Sequence, residues 1–150
     1  MACAPLVAQE IRLGDAPVAH KGHVELLSDA VEVKAGEPQV VELRFRVQDG
    51  FHINSHTPKD ELLIPTVLQL NAASGMKLVE EEYPKGSTFR LPLDKTETLD
   101  VYQGEFRVSV RLVAPKGSST LTGLLKYQAC DNEVCYPPKT LPVLVAVTGR

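Results

Sequence analysis

Residues 39–48 read QVVELRFRVQ, and their alternation decides the fold class. Val41, Leu43, Phe45 and Val47 share one face of an extended chain, while Glu42, Arg44, Arg46 and Gln48 share the other. That is the pattern of a strand with one side against a core and the other in water. Residues 104–113, GEFRVSVRLV, repeat it, with Phe106, Val108, Val110 and Leu112 inward and Glu105, Arg107, Ser109 and Arg111 outward. Shorter candidates run Val24 to Leu27, Val31 to Lys34, Val67 to Leu70, Met76 to Glu80, Leu121 to Cys130 and Leu141 to Val147.

Turn signals divide these runs: KAGEP at 34–38, QDG at 48–50, NAASG at 71–75 and APKGSS at 114–119. Short strands at such intervals predict an all-β antiparallel sandwich or barrel. No window sustains a helical stripe. TPKDELL has Thr57 to cap and Pro58 at the first helical position, but Pro65 ends it within a turn or two. The stretch from Glu80 to Asp100, broken by Pro84, Gly86 and Pro92, reads as a long irregular loop, and such loops on rigid sandwiches carry function.

The 150 residues suit one domain, and 43% apolar residues suffice for a core without cross-links. A net charge of -3, with both signs interspersed, leaves no basic footprint for nucleic acid or an anionic membrane. No apolar run approaches the roughly 20 residues of a membrane span, so this chain is expected to be soluble, with no transmembrane segment. The start, MACAPLVAQE, lacks a complete export signal, although Ala2, Ala4 and Ala8 could be the tail of a trimmed one. Cys3 reads as an incidental thiol or a lipid-attachment site.

The chemistry concentrates in YQACDNEVCYPP, residues 127–138. On a helix, Cys130 and Cys135 would fall on different faces. In a hairpin with Asp131 to Val134 as the loop, they oppose each other at roughly 4.5–5.5 Å between alpha carbons, a distance a disulfide can close. Strand parity groups Leu125, Tyr127 and Ala129 on the apolar side, which predicts that Cys130 points away from the core with its sulfur reachable. Pro137 and Pro138 imply an edge or a bulge after Cys135. Closing so short a loop stabilises by only about 2 kcal/mol, against nearly 5 kcal/mol for a bridge from Cys3, so the pair is a weak staple.

Three readings stay open on spacing alone: a structural disulfide, a redox pair and a metal clip. His52 and His56 in FHINSH formally complete a two-cysteine, two-histidine set. His20 and His23 read as solvent-facing loop residues. Glu80, Glu81 and Glu82 read as a solvated run, although carboxylates placed beside thiols would disfavour thiolate. No phosphate loop, serine elbow or catalytic carboxylate pair is present.

YQACDNEVCYPP, preceded by a strand and followed by KTLPVLVAV, resembles the amino-terminal periplasmic domain family of the bacterial thiol:disulfide interchange protein DsbD. The resemblance is strongest from Leu121 to Val147 and extends more weakly back to Val24 through DGFHI and EEEYPKG. It implies an immunoglobulin-like antiparallel sandwich with a cap loop over a cysteine pair on a hairpin, in residues 23–150. Residues 1–22 would be an N-terminal extension, partly disordered. It further implies a protein-disulfide reductase in the periplasm, one domain of a relay, for which Cys3 or a missing segment would offer a membrane tether. A thioredoxin-like domain and a membrane electron carrier would be its donors, and periplasmic thioredoxin-fold proteins its acceptors.

By position, Cys135 would form the mixed disulfide with each partner and Cys130 would resolve it. Tyr83 would be the aromatic cap over the sulfurs, with Glu81 and Glu82 nearby, and Phe51 and Tyr136 would wall the site. The redox-active disulfide itself is the expected prosthetic element, with no other cofactor and no metal. The chain departs from the family pattern in three ways: cysteines one residue closer, tyrosine at the cap where phenylalanine is familiar, and no membrane carrier or thioredoxin-like domain in this sequence.

Overall fold

The computed structural model describes residues 22–150, and the expectations for Cys3, His20 and the N-terminal extension before Gly22 lie outside them. Twelve strands and no helix are found among the described residues. They are β1 (Val24–Leu26), β2 (Ala30–Val33), β3 (Pro38–Val47), β4 (His52–Asn54), β5 (Val67–Asn71), β6 (Lys77–Glu82), β7 (Ser87–Arg90), β8 (Thr98–Tyr102), β9 (Glu105–Val113), β10 (Gly117–Tyr127), β11 (Ala129–Cys130) and β12 (Lys139–Gly149).

Two four-stranded sheets, β1-β3-β9-β6 and β2-β12-β10-β5, form the layers of an immunoglobulin-like sandwich, and a smaller sheet, β11-β4-β8-β7, carries the cysteines. All pairings are antiparallel except β12 with β2. The alternation in β3 and β9 does what period two requires. Val41, Leu43, Phe45 and Val47 are buried with Phe106, Val108, Val110 and Leu112, and they share one core with Leu121, Leu125, Tyr127, Leu141, Val143, Val145 and Val147 from the facing sheet. Each such side chain contributes about 1.5–3 kcal/mol on burial. Phe45 and Phe106, direct cross-strand partners, stack at 5.2 Å, and Tyr102 extends the stack to Phe106 at 4.8 Å.

The outer face of the β3-β9 layer carries the charges. Arg44 pairs with Glu105 at 2.9 Å and Arg107 with Glu42 at 3.0 Å, both exposed and worth about 0–1 kcal/mol each. Their main effect is to keep that face in water.

Of three expectations about local structure, two are corrected. The segment from Glu80 to Asp100 is not irregular: β6 runs on to Glu82, and β7 pairs with β8 from Ser87↔Val101 to Arg90↔Thr98. TPKDELL forms a single turn and no helix, within the turn or two expected: the Leu63 amide donates to the Asp60 carbonyl at 3.1 Å, and the Asp60 carboxylate accepts from the Leu62 amide. The run from Leu121 to Cys130 is two strands, since Gln128 interrupts it and β11 leaves the β12 partner for β4.

Candidate functional site

The small sheet has two different faces. Ala129 opposes Ile53, which opposes Tyr102, and these three join the main core. On the other face Cys130 opposes His52, and Asn54 two residues on opposes Val101. Phe89, opposite Leu99 on the β7-β8 hairpin, lays its ring on the His52 imidazole at 4.2 Å. Cys130, His52 and Phe89 therefore share one face of the small sheet.

The hairpin forms as the spacing predicts. Cys130 and Cys135 are joined in a disulfide and make an isolated antiparallel bridge, with alpha carbons 4.0 Å apart. The Asp131 amide donates to the Val134 carbonyl at 2.9 Å, and the Tyr136 amide to Ala129 at 2.8 Å. Asp131 organises the turn from within: its Oδ1 accepts from the amides of Glu133 at 2.7 Å and Val134 at 2.8 Å, and its Oδ2 accepts from the Tyr136 hydroxyl at 2.8 Å. These bonds hold the carboxyl below the usual carboxylate range. The same Asp131 bond pushes the Tyr136 hydroxyl above its ordinary value.

The two cysteines differ in exposure. Cys130 is 2% exposed, whereas Cys135 is an exposed residue between exposed Val134 and half-buried Tyr136. This corrects the expectation that Cys130 is the reachable one. Cys130 does point away from the main core, on the opposite face of the small sheet from Ala129, but that face is buried too, with His52 and Asn54 on it.

Of the other expected site residues, Phe51 and Tyr136 are brought together at 5.8 Å, with His23 stacked on Phe51 at 4.1 Å and 5.3 Å from Tyr136. His23 is thus half-buried in an aromatic cluster, not a solvent-facing loop residue. Tyr83 has different partners. Its ring lies flat on His56 at 3.5 Å, and its hydroxyl accepts from the Leu68 amide at 2.9 Å and meets Glu81 at 3.3 Å. Burial pushes that hydroxyl's pKa up, against the opposing effect of the Leu68 amide. Glu81 and Glu82 stand on β6, paired with Val110 and Ser109 of β9. The ring against the cysteine layer is Phe89, and the carboxylate on the cysteine loop is Asp131.

The histidines of the metal reading are separated by their contacts. His56 gives its Nδ1 to the Thr66 carbonyl at 2.9 Å and its face to Tyr83, while His52 faces Phe89. Among the described residues, no three His, Cys, Asp or Glu side chains converge as a metal site requires. Among the described residues, no helix is long and apolar enough to cross a membrane.

The family model described as "Thiol:disulfide interchange protein DsbD, N-terminal" matches residues 24–146. The chain belongs to the DsbD N-terminal family. Solved structures similar to it include the reduced DsbD N-terminal domain of Neisseria meningitidis, at 23% identity over 72% of this chain and 77% of that one, with a TM-score of 0.46. The complex between the DsbD and PilB N-terminal domains of the same organism is similar at 24% identity, over 70% and 73% of the two chains, with a TM-score of 0.46. The N-terminal periplasmic domain of ScsB from Proteus mirabilis matches at 15% identity with a TM-score of 0.51. That likeness covers 80% of this chain and 44% of the ScsB domain, and it shows a shared fold. Comparison with curated proteins found no match. Within the residues that the family model matches, the chain carries the Cys130–Cys135 disulfide, one cysteine buried and the other exposed.

Proposed function

We propose that this domain relays reducing equivalents in a bacterial periplasm by thiol–disulfide exchange at Cys130 and Cys135. A thioredoxin-like domain fed by a membrane electron carrier supplies the electrons, and thioredoxin-fold proteins accept them. The observation that carries this reading is the contrast in access: Cys135 is exposed and Cys130 is 2% exposed. A donor thiolate attacks Cys135 and the bond to Cys130 breaks. A second donor thiol releases the donor and leaves two thiols. Cys135 then attacks the acceptor's disulfide, and Cys130 closes back on Cys135 to free the reduced acceptor. Only an exposed sulfur can meet another protein's sulfur in line, which makes Cys135 the exchanging residue and Cys130 the resolving one.

Phe51 and Tyr136 wall the exposed side, supported by their ring contact, and exposed Val134 adds an apolar tip beside Cys135. Shielding of Cys130, assigned on resemblance to Tyr83, is better supported for Phe89, whose ring covers the cross-strand partner of Cys130. Residues 23–150 form the exchange domain in this reading, and the disulfide is its only redox group. The periplasmic setting rests on the family and on the ScsB relative described as periplasmic.

Trapping tests it. Cys130→Ser should accumulate a mixed disulfide with a thioredoxin-fold partner on a non-reducing gel, and Cys135→Ser should form none. Equal behaviour of the two variants, or a native bridge that resists reduction by a thioredoxin-like donor, overturns the reading.

A further inference from the structure

We propose that His52 is the proton-accepting residue for Cys130 in the resolving step. The inference rests on the exchange function above and adds a residue to it.

The placement comes from register. Cys130 and His52 are direct partners across β11 and β4, so their side chains rise from the same face with beta carbons about 4.5–5.5 Å apart. His52 is 2% exposed, and its Nε2 is buried without a hydrogen-bond partner. An orphaned buried ring nitrogen costs roughly 1–3 kcal/mol, so its retention calls for a reason. In the oxidised protein Cys130 has no hydrogen to offer. On reduction it becomes a thiol, and a donor then stands across the strand pair from Nε2.

The surroundings suit proton transfer in one direction. Burial under Phe89 holds the imidazole below its ordinary pKa, so at neutral pH it is uncharged and able to accept. Among the described residues, the charge that acts on the ring is the Asp131 carboxylate, from the loop directly after Cys130. It opposes the effect of burial and stabilises the imidazolium once formed. Phe89 on β7 and Cys130 on β11 bring no charge of their own in the resting state. A cleft of about 270 Å³, lined by His52, Phe89, Gln103, Asn132 and Asp49 among others, runs beside the ring and gives the proton a route to solvent.

The step balances as follows. In the mixed disulfide, Cys135 Sγ is bonded to the acceptor's sulfur and Cys130 is a thiol. His52 takes the thiol proton, the Cys130 thiolate attacks Cys135 Sγ, and the bond from Cys135 to the acceptor breaks. The acceptor's sulfur leaves with the electron pair and collects a proton from the imidazolium or from water. Across both steps the cysteine pair loses two electrons and the acceptor's disulfide gains them.

The test uses the reduced chain and Ellman's reagent in stopped flow. The first thionitrobenzoate release reports attack by Cys135, and the second reports closure by Cys130. In His52→Gln, the second phase should slow about tenfold or more at neutral pH and lose the wild-type inflection below neutrality. The first phase should change less than about twofold. A second phase with wild-type rate and profile from about pH 5 to about pH 9 overturns the role of His52 and leaves the exchange function standing. A wild-type chain that releases nothing in the first phase sinks the exchange function and this proposal with it. Should the variant misfold, ring-nitrogen NMR of the unaltered chain decides. The His52 titration should move between the reduced wild type and reduced Cys130→Ser, and identical titrations overturn the proposal.

Discussion

The Tyr136 hydroxyl donates to Asp131 Oδ2 at 2.8 Å, tying the residue after Cys135 to the residue after Cys130. The bond spans the disulfide like a second, non-covalent bridge. Asp131 also receives two loop amides, so one carboxylate holds both the turn and the flanking aromatic.

This arrangement sets a pH window for the loop. Asp131 is held below its ordinary pKa, so its contribution is present above the unfolded value of about 4 and is lost as pH falls through the folded value. Tyr136 is raised above its ordinary value, so its contribution is present below about pH 10 and lost as pH rises through the folded one. Protection of the Glu133 and Val134 amides from hydrogen exchange, corrected for intrinsic rates, should be greatest between those limits. Asp131→Ala should remove the acid limb, lower the thermal midpoint by a few degrees and speed reduction of the disulfide.

Removing the covalent bridge should cost little. The cysteines are 5 residues apart, and closing so short a loop is worth about 2 kcal/mol. Denaturant titration of the oxidised chain and of Cys130→Ser/Cys135→Ser should differ by about that amount, with both cooperatively folded. A double variant that fails to fold contradicts the weak-staple argument.

Shielding of Cys130 should depend on Phe89 and not on Tyr83. Phe89→Ala should raise the rate of disulfide reduction by dithiothreitol severalfold. Because Phe89 is only half-buried, the stability cost should stay below the roughly 3–5 kcal/mol of a fully buried ring. Tyr83→Phe leaves the ring on His56 but deprives the Leu68 amide of its acceptor, so it should lose about 1–2 kcal/mol with no change in reduction rate.

Gly86 should be intolerant of any side chain. A beta carbon there would run into the Asp100 carboxylate and come within 2.9 Å of Ser55, at the point where β7 docks beside the end of β4. Gly86→Ala should cost about 1–3 kcal/mol and expose Cys130 to alkylation in the reduced chain, measured by mass spectrometry.

How far these features could be read beforehand depends on what each strand packs against. β3 and β9 have one wet face and one dry face, so their alternation is visible, and their inward residues are those the pattern names. β4 shows no alternation because His52, Ile53 and Asn54 are all buried, the second in the main core and the first and third on the opposite face of the small sheet. β7 and β8 are short and mix Ser, Thr and Asp among Phe89, Leu99 and Val101, which disguises them as loop. The hairpin bridge and the turn of Cys130 away from the main core follow from spacing and parity, but its burial does not, since nothing in the letters marks the small sheet that begins after Gln128. Asp131 was legible in principle. An aspartate opening a four-residue loop is the residue whose side chain takes the next amides. In the sequence His52 stands out only by its metal-like spacing from His56, and register against Cys130 is what suggests another role.

Pro137 and Pro138 follow the exposed Cys135 with only Tyr136 between, and neither has an N–H to offer. A visiting polypeptide is therefore denied a continuous ladder of main-chain bonds along that margin, and the choice of docking companion falls to side-chain shape and charge around Cys135. Selectivity can then be redrawn by surface replacements that leave the sandwich beneath untouched.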